Sequence, residues 1–169
     1  MAKEVVKQVK EADAAGAIII LKFDSPGGVW EAGAMIAGAI NEAKNPVVCV
    51  NTGHSASMTM VPFGVCPVRV VVKGSKLTFH EPFGVMVISE PSVLMLKMTH
   101  LRNELKMLEE LNDIMAKLIT SRWPMSAEDY KKKISGIDWT VPAEEAVQIK
   151  AADFMVSSYE EVLWLARNL

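Results

Sequence analysis

Residues 17–28 read AIIILKFDSPGG, in which a continuous apolar run over 17–21 is followed closely by a Pro-Gly-Gly turn. A strand with one face in water alternates apolar and polar residues, so this continuous run predicts a strand buried on both faces. Residues 47–50, VVCV, predict a second strand of the same kind. Apolar residues at helical spacing over 2–15 and 29–43 flank the first strand. Strands that alternate with helices predict an α/β fold, a mostly parallel β-sheet flanked by helices.

The second half of the chain continues this pattern and adds one long helix. Residues 92–121 keep apolar side chains at helical spacing. At about 1.5 Å per residue such a helix reaches roughly 45 Å, more than the width of a small domain. We therefore predict a projecting helix whose apolar stripe meets a partner. We also predict a single domain over residues 1–169, with strands at 68–72, 76–79 and 152–156, helices at 126–133, 142–149 and 159–168, and a loop at 134–140.

The composition argues against several classes of function. The net charge is −2, which gives no general attraction to nucleic acid or to an anionic membrane surface. No apolar run reaches the roughly 18 residues of a membrane-spanning helix, and the first residues lack the pattern of a signal peptide. Cys49 and Cys66 both lie in apolar runs, so we expect two buried free thiols and a reducing, cytoplasmic location. We expect neither a metal nor a cofactor.

Two further strings contain residues that could perform chemistry. Residues 53–58 read GHSASM and residues 78–82 read TFHEP. Ser57 follows the second buried strand, and His80 follows the fourth. Ligands of parallel α/β sheets gather at the carboxyl ends of the strands. A serine hydroxyl becomes a nucleophile when a base takes its proton, so we predict that Ser57 and His80 act as such a pair.

Backbone amides near Ser57 could stabilise the negative charge that acyl transfer creates. The Met58 N–H begins the short helix predicted after the serine, where free amides and the helix dipole favour an anion. Gly28 ends the first buried strand, and its N–H is the natural second oxyanion donor. Gly27 and Pro82 lie beside these groups, and we predict that both contact a substrate.

The ordered set of strings resembles the Clp protease proteolytic subunit (ClpP) and its phage-encoded relatives, in the crotonase-like superfamily. That family shows Ser-Pro-Gly-Gly, then Gly-x-Ala-Ala-Ser-Met, then His-Gln-Pro. This chain has SPGG at 25–28, GHSASM at 53–58 and HEP at 80–82. Residues 138–146, DWTVPAEEA, are similar to the family's segment before its last helix. The long predicted helix is similar to the family's handle helix, which joins two rings.

The resemblance implies a serine endopeptidase that hydrolyses peptide bonds through an acyl-enzyme. It implies an ATP-independent peptidase core in a homo-oligomeric chamber, with peptides or unfolded proteins as substrates and an ATP-dependent unfoldase as a candidate partner. No nucleic acid or membrane partner is implied, and the protein would be cytoplasmic and could be phage-encoded. The third catalytic member, which orients His80, is expected to be Asp138, with Asp129 and Asp113 as alternatives.

Three departures from the family pattern bear on this expectation. The family has an N-terminal strand and an axial loop before its first helix, and this sequence shows neither. Glu81 replaces a glutamine and Asp24 an asparagine, which would add carboxylates near His80 and favour its charged form. Pro62 lies within the short helix predicted after Ser57 and is expected to shorten or kink it.

Three other functions are compatible with the same residues. A Ser-Lys peptidase of the signal peptide peptidase A type would pair Ser57 with Lys73, Lys76 or Lys97. A catalytically degenerate ring or scaffold subunit would keep the fold without turnover. An acyl-CoA enzyme of the same broad fold would use backbone oxyanion donors, and Ser57 and His80 would then be incidental.

Overall fold

Helices and strands alternate along the chain as the sequence predicts. The computed structural model describes the backbone of residues 1–83 and 94–168 and the side chains of 1–83 and 100–168. The elements are α1 (Ala2–Ala14), β1 (Ile19–Phe23), α2 (Trp30–Glu42), β2 (Val47–Asn51), β3 (His54–Ala56), a 3-10 turn (Ser57–Thr59), α3 (Met60–Val65), β4 (Val68–Val72), β5 (Lys76–Phe79), α4 (Leu94–Ile119), α5 (Ala127–Ile134), β6 (Trp139–Pro142), α6 (Ala143–Gln148), β7 (Phe154–Val156) and α7 (Tyr159–Arg167).

The larger sheet is parallel and buried, as the continuous apolar runs predict. Its strand order is β1-β2-β4-β7, and each neighbouring pair is parallel. Every residue of β2 is buried, because helices cover both faces. On one face α7 packs over a cluster of Val48, Val50, Val70, Val156, Val162 and Ala166. On the other face a larger apolar core lies beneath α1, α2, α3 and the end of α4.

A second sheet has three strands, in the order β3-β5-β6. β3 pairs with β5 in parallel, and β6 pairs with β5 antiparallel. β3 is not among the predicted strands, and the predicted loop at 134–140 is wrong for Trp139 and Thr140, which begin β6. These strands have only three and four residues. Their strand conformation depends more on pairing with β5 than on their own amino-acid composition. The helix predicted from 142 begins one residue later, at Ala143, with Pro142 as its N-cap.

The long helix α4 has 26 residues. The final turns of α4 are largely buried. A Cβ added at Gly64, in α3, would lie only 2.7 Å from backbone atoms of Ile119. The backbones of α3 and α4 are therefore in close contact at this point. Leu105 and Met107 are 58% and 59% exposed further up the helix. The predicted start at residue 92 lies outside the described residues, and the ring-joining role stays a prediction. Within residues 1–83 and 94–168, neither α4 nor any other helix is long and apolar enough to cross a membrane.

The prediction of two free thiols is wrong, because Cys49 and Cys66 form a disulfide. Cys49 lies in β2, and Cys66 directly follows α3. Both are fully buried, as predicted. Burial could be inferred from the apolar runs, but the pairing depends on α3 folding back against β2. The reducing location inferred from free thiols therefore loses its support.

Candidate active site

Ser57 occupies a strained turn between β3 and α3. Its φ is 56°, in the left-handed region that residues other than glycine rarely adopt and that is often found at functional sites. The 3-10 turn that it begins leads directly into α3, which has only six residues. Pro62 lies in the first turn of α3, where a helix has no acceptor for the missing N–H. α3 is short, but Pro62 removes no hydrogen bond at this position, so the prediction that Pro62 shortens or kinks the helix stays a prediction.

The glycine turn after β1 packs directly against Ser57. The Ala56 N–H donates to the Ser25 carbonyl over 2.9 Å, which joins the two segments. A Cβ on Gly27 would lie 2.6 Å from the Ser57 Cβ and 3.0 Å from the Met58 nitrogen, and the φ of Gly27 is 108°. Both the space and the backbone conformation therefore require glycine at position 27.

Two backbone amides beside Ser57 are available to a ligand. The Gly27 N–H donates to the Ser25 Oγ over 3.2 Å. Among the residues that the structure describes, no hydrogen bond uses the N–H of Gly28 or of Met58. The Met58 amide lies in the first turn of the 3-10 segment, whose leading amides have no acceptor within the turn.

His80 follows β5, the parallel neighbour of the strand that precedes Ser57. Its Nδ1 lies 2.6 Å from the Glu81 carbonyl oxygen. Because a carbonyl only accepts, Nδ1 donates, and a neutral ring then has a free lone pair on Nε2. The imidazole also packs on the exposed Phe83 ring, with centroids 5.6 Å apart. Within the described part of the chain, no hydrogen bond joins His80 to Ser57 in this conformation.

Asp138 lies opposite His80 across the second sheet. Phe79 pairs with Trp139 in the antiparallel register of β5 and β6, so one further step sets His80 opposite Asp138. Both residues line the same open cavity. Glu81 ties the two segments together, because the Gly136 N–H donates to its carboxylate over 3.1 Å. The other added carboxylate, Asp24, accepts from the His54 N–H over 3.0 Å.

The two alternative aspartates have other partners. Lys131 Nζ lies 2.6 Å from Asp113, and this hydrogen bond lowers the pKa of the Asp113 carboxyl. Ser126 Oγ donates to Asp129 over 2.8 Å. That bond is the main cause of the lowered pKa of Asp129, with Lys132 adding to it. Neither carboxylate lines the cavity that contains His80.

The lysines of the Ser-Lys alternative are poorly placed in the residues described. Lys76 is the first residue of β5, at the opposite end of that strand from His80. Lys73 lies three residues earlier, and its backbone N–H donates to the Val156 carbonyl. The side chain of Lys97 lies outside the described residues.

The sequence analysis missed three polar residues next to this site. His54, Thr78 and Thr140, one from each strand of the second sheet, form a continuous row of hydrogen bonds. The only indication in the sequence was that Thr78 precedes His80 by two residues, a spacing that places two side chains on the same face of a strand. The sequence alone could not align the other two, because β3 and β6 were not recognised as strands.

A serine at the end of a parallel strand, with unoccupied amides beside it and a histidine after the next strand, is an arrangement typical of serine hydrolases. The fold and the site point to this class. The chain belongs to the Clp protease family, whose sequence model, described as Clp protease, matches residues 1–156.

Comparison with solved structures gives the same fold. The chain is similar to a mutant of ClpP1 from Listeria monocytogenes, with a TM-score of 0.80 and 21% sequence identity. The match covers 94% of this chain and 85% of that one. At this identity the likeness concerns the fold alone. A search of curated proteins finds no match.

Proposed function

We propose that this chain is the ATP-independent peptidase core of a ClpP-like serine endopeptidase, with Ser57 as nucleophile and His80 as general base. The observation that carries the proposal is the parallel pairing of β3 with β5, which gives both residues the same sheet edge. The Ser57 Oγ would attack the carbonyl carbon of a peptide bond while His80 Nε2 accepts its proton. The same proton would then pass to the departing amine, and water would hydrolyse the acyl-enzyme.

His80 already has the tautomer that this step needs. The Glu81 carbonyl fixes the hydrogen on Nδ1, and Nε2 is the nitrogen that must accept the proton. A carbonyl cannot neutralise the imidazolium that forms. We infer that the ring rotates as substrate binds, so that Nδ1–H leaves Glu81 and donates to Asp138. The carboxylate would then orient the ring and stabilise its charge.

The amides of Gly28 and Met58 would bind the oxyanion of the tetrahedral intermediate. Among the described residues neither amide has a hydrogen-bond partner, and Gly28 and Met58 line the same cavity. Loss of one such donor typically costs about 3–4 kcal/mol of transition-state stabilisation. The backbone at Gly27 and Pro82 borders the site on two sides, and it would contact the peptide chain of the substrate.

The proposed setting is a chamber built from copies of this chain. Leu105, Met107 and Ile114 are large apolar residues of α4 that are at least 46% exposed, which supports a subunit contact along this helix. Peptides or unfolded proteins would be the substrates, and an ATP-dependent unfoldase is a candidate partner. A cytoplasmic location remains part of the proposal, although it no longer has the support of free thiols.

Replacing Asp138 by asparagine tests the proposed third member. We expect kcat for a fluorogenic peptide to fall by about 10⁴-fold, because a neutral amide cannot stabilise the charge of the imidazolium. Asp113→Asn is the matched control, and it should stay within about twofold of the natural chain, since exposed ion pairs contribute little. The measurement is steady-state hydrolysis by the assembled protein. Full activity of Asp138→Asn, or an equal loss in both variants, would contradict the assignment.

A further inference from the structure

A row of three polar side chains crosses the second sheet beside the proposed catalytic residues. Thr78 Oγ1 lies 2.8 Å from His54 Nε2 and 2.8 Å from Thr140 Oγ1. Thr78 is 7% exposed, whereas His54 and Thr140 reach solvent. A buried hydroxyl needs partners, and each partner of Thr78 comes from a different neighbouring strand.

This row lies on the same face of the sheet as His80 and Asp138. Side chains two residues apart on a strand share a face, so Thr78 shares a face with His80, and Thr140 shares one with Asp138. Ala56, the register partner of Thr78, is the residue directly before Ser57. Thr78 and Thr140 are therefore each two residues from a proposed catalytic residue, and the row touches each strand that leads to the site.

The register of this sheet is also supported by the buried Leu77 and Val141 and by the Asn51 side chain, which donates to the Lys76 carbonyl. β3 has three residues, and β5 and β6 have four each. A slip of one residue turns every side chain of a strand to the other face. A one-residue slip of β5 would point His80 away from Ser57 and Asp138. The hydrogen bonds of Thr78 to both neighbouring strands are broken by such a slip.

We propose that Thr78, through His54 and Thr140, is a positioning residue that fixes the register of the strands bearing Ser57, His80 and Asp138. The inference rests on the proposed function, since it concerns the alignment of that site. Thr78 donates one of these hydrogen bonds and accepts the other. The tautomer of His54 determines which bond Thr78 donates. Its hydroxyl serves alignment, and it does not touch the reacting atoms.

Thr78→Val tests the proposal because valine has nearly the same shape and lacks the hydroxyl. We expect kcat to fall by about tenfold or more, since small misplacements are costly in preorganised sites, while KM changes by less than about twofold. Thr78→Ser restores the hydroxyl and should recover most of the lost kcat. Thr120→Val is the matched control, because Thr120 is also buried, directly after α4, and its hydroxyl donates to the Ala116 carbonyl.

Thr140→Val provides a second test that does not depend on a buried position. Thr140 is exposed, so this variant should fold normally, and we expect a smaller loss of kcat in the same direction. Equal activity of the natural chain, Thr78→Val and Thr140→Val would overturn the positioning role and leave the proposed peptidase intact. Loss of activity in Thr78→Ser equal to that in Thr78→Val would also overturn it. A natural chain without peptidase activity would overturn both proposals.

Discussion

Replacing Ser57 by alanine is expected to lower kcat/KM for a fluorogenic peptide by about 10⁴-fold or more. The reason is that alanine lacks the hydroxyl that attacks the peptide bond in the proposed mechanism. Alanine keeps the Cβ that contacts Gly27, so the turn retains its packing. The loss should therefore reflect chemistry, with the thermal midpoint nearly unchanged. The measurement is steady-state hydrolysis by the assembled protein.

Ser121→Ala is a suitable control for this experiment. Ser121 is exposed, just after α4, and its Oγ donates to the Leu118 carbonyl. Its variant should keep the natural rate. Substantial hydrolysis by Ser57→Ala would exclude an acyl-enzyme on this residue.

The largest expected effect on stability comes from Arg69→Met. The Arg69 side chain is 3% exposed and lies 2.7 Å from the Asp153 carboxylate, and its Nη2 also donates to the Arg122 carbonyl. Removing the guanidinium leaves Asp153 without its partner. Breaking a buried pair typically costs about 3–5 kcal/mol. The Asp153 side chain is 31% exposed, so water offsets part of the loss, and we expect about 3 kcal/mol.

Urea unfolding at fixed protein concentration measures this change, with Lys7→Met as the control. Lys7 and Glu11 form an exposed pair at 3.8 Å, which should contribute less than about 0.5 kcal/mol. Equal, small changes in both variants would contradict the structural importance assigned to Arg69. Such a result would mean that the strands β4 and β7 hold the loop at Asp153 without the ion pair.

The parts of this fold that could be predicted have strong local signals. β1, β2 and β4 are mostly apolar, and such strands are buried by a sheet that is covered on both faces. Because these strands were clear, the positions of Ser57 and His80 at strand ends could be anticipated, as could the glycine turn beside them. The helices follow from apolar spacing and from caps such as Ser126.

The parts that could not be predicted depend on pairing. β6 is a strand because it pairs with β5. The register of this antiparallel pair sets Asp138 opposite His80, and the sequence of β6 alone does not reveal it. The same limit applies to the disulfide. The apolar runs indicate that Cys49 and Cys66 are buried, but they carry no information about whether the two residues are paired. It applies again to Thr78, whose partners lie 24 and 62 residues away along the chain.

The most direct test of the account is the reaction of the assembled protein with a fluorophosphonate, with the modified residue located by peptide mass spectrometry. The central claim is that Ser57 and His80 act as one unit. It predicts a single adduct per chain on Ser57, formed about 10²-fold or more slowly in His80→Ala because the general base is lost. An adduct on another residue, or a Ser57 adduct that forms at the same rate without His80, would contradict the claim.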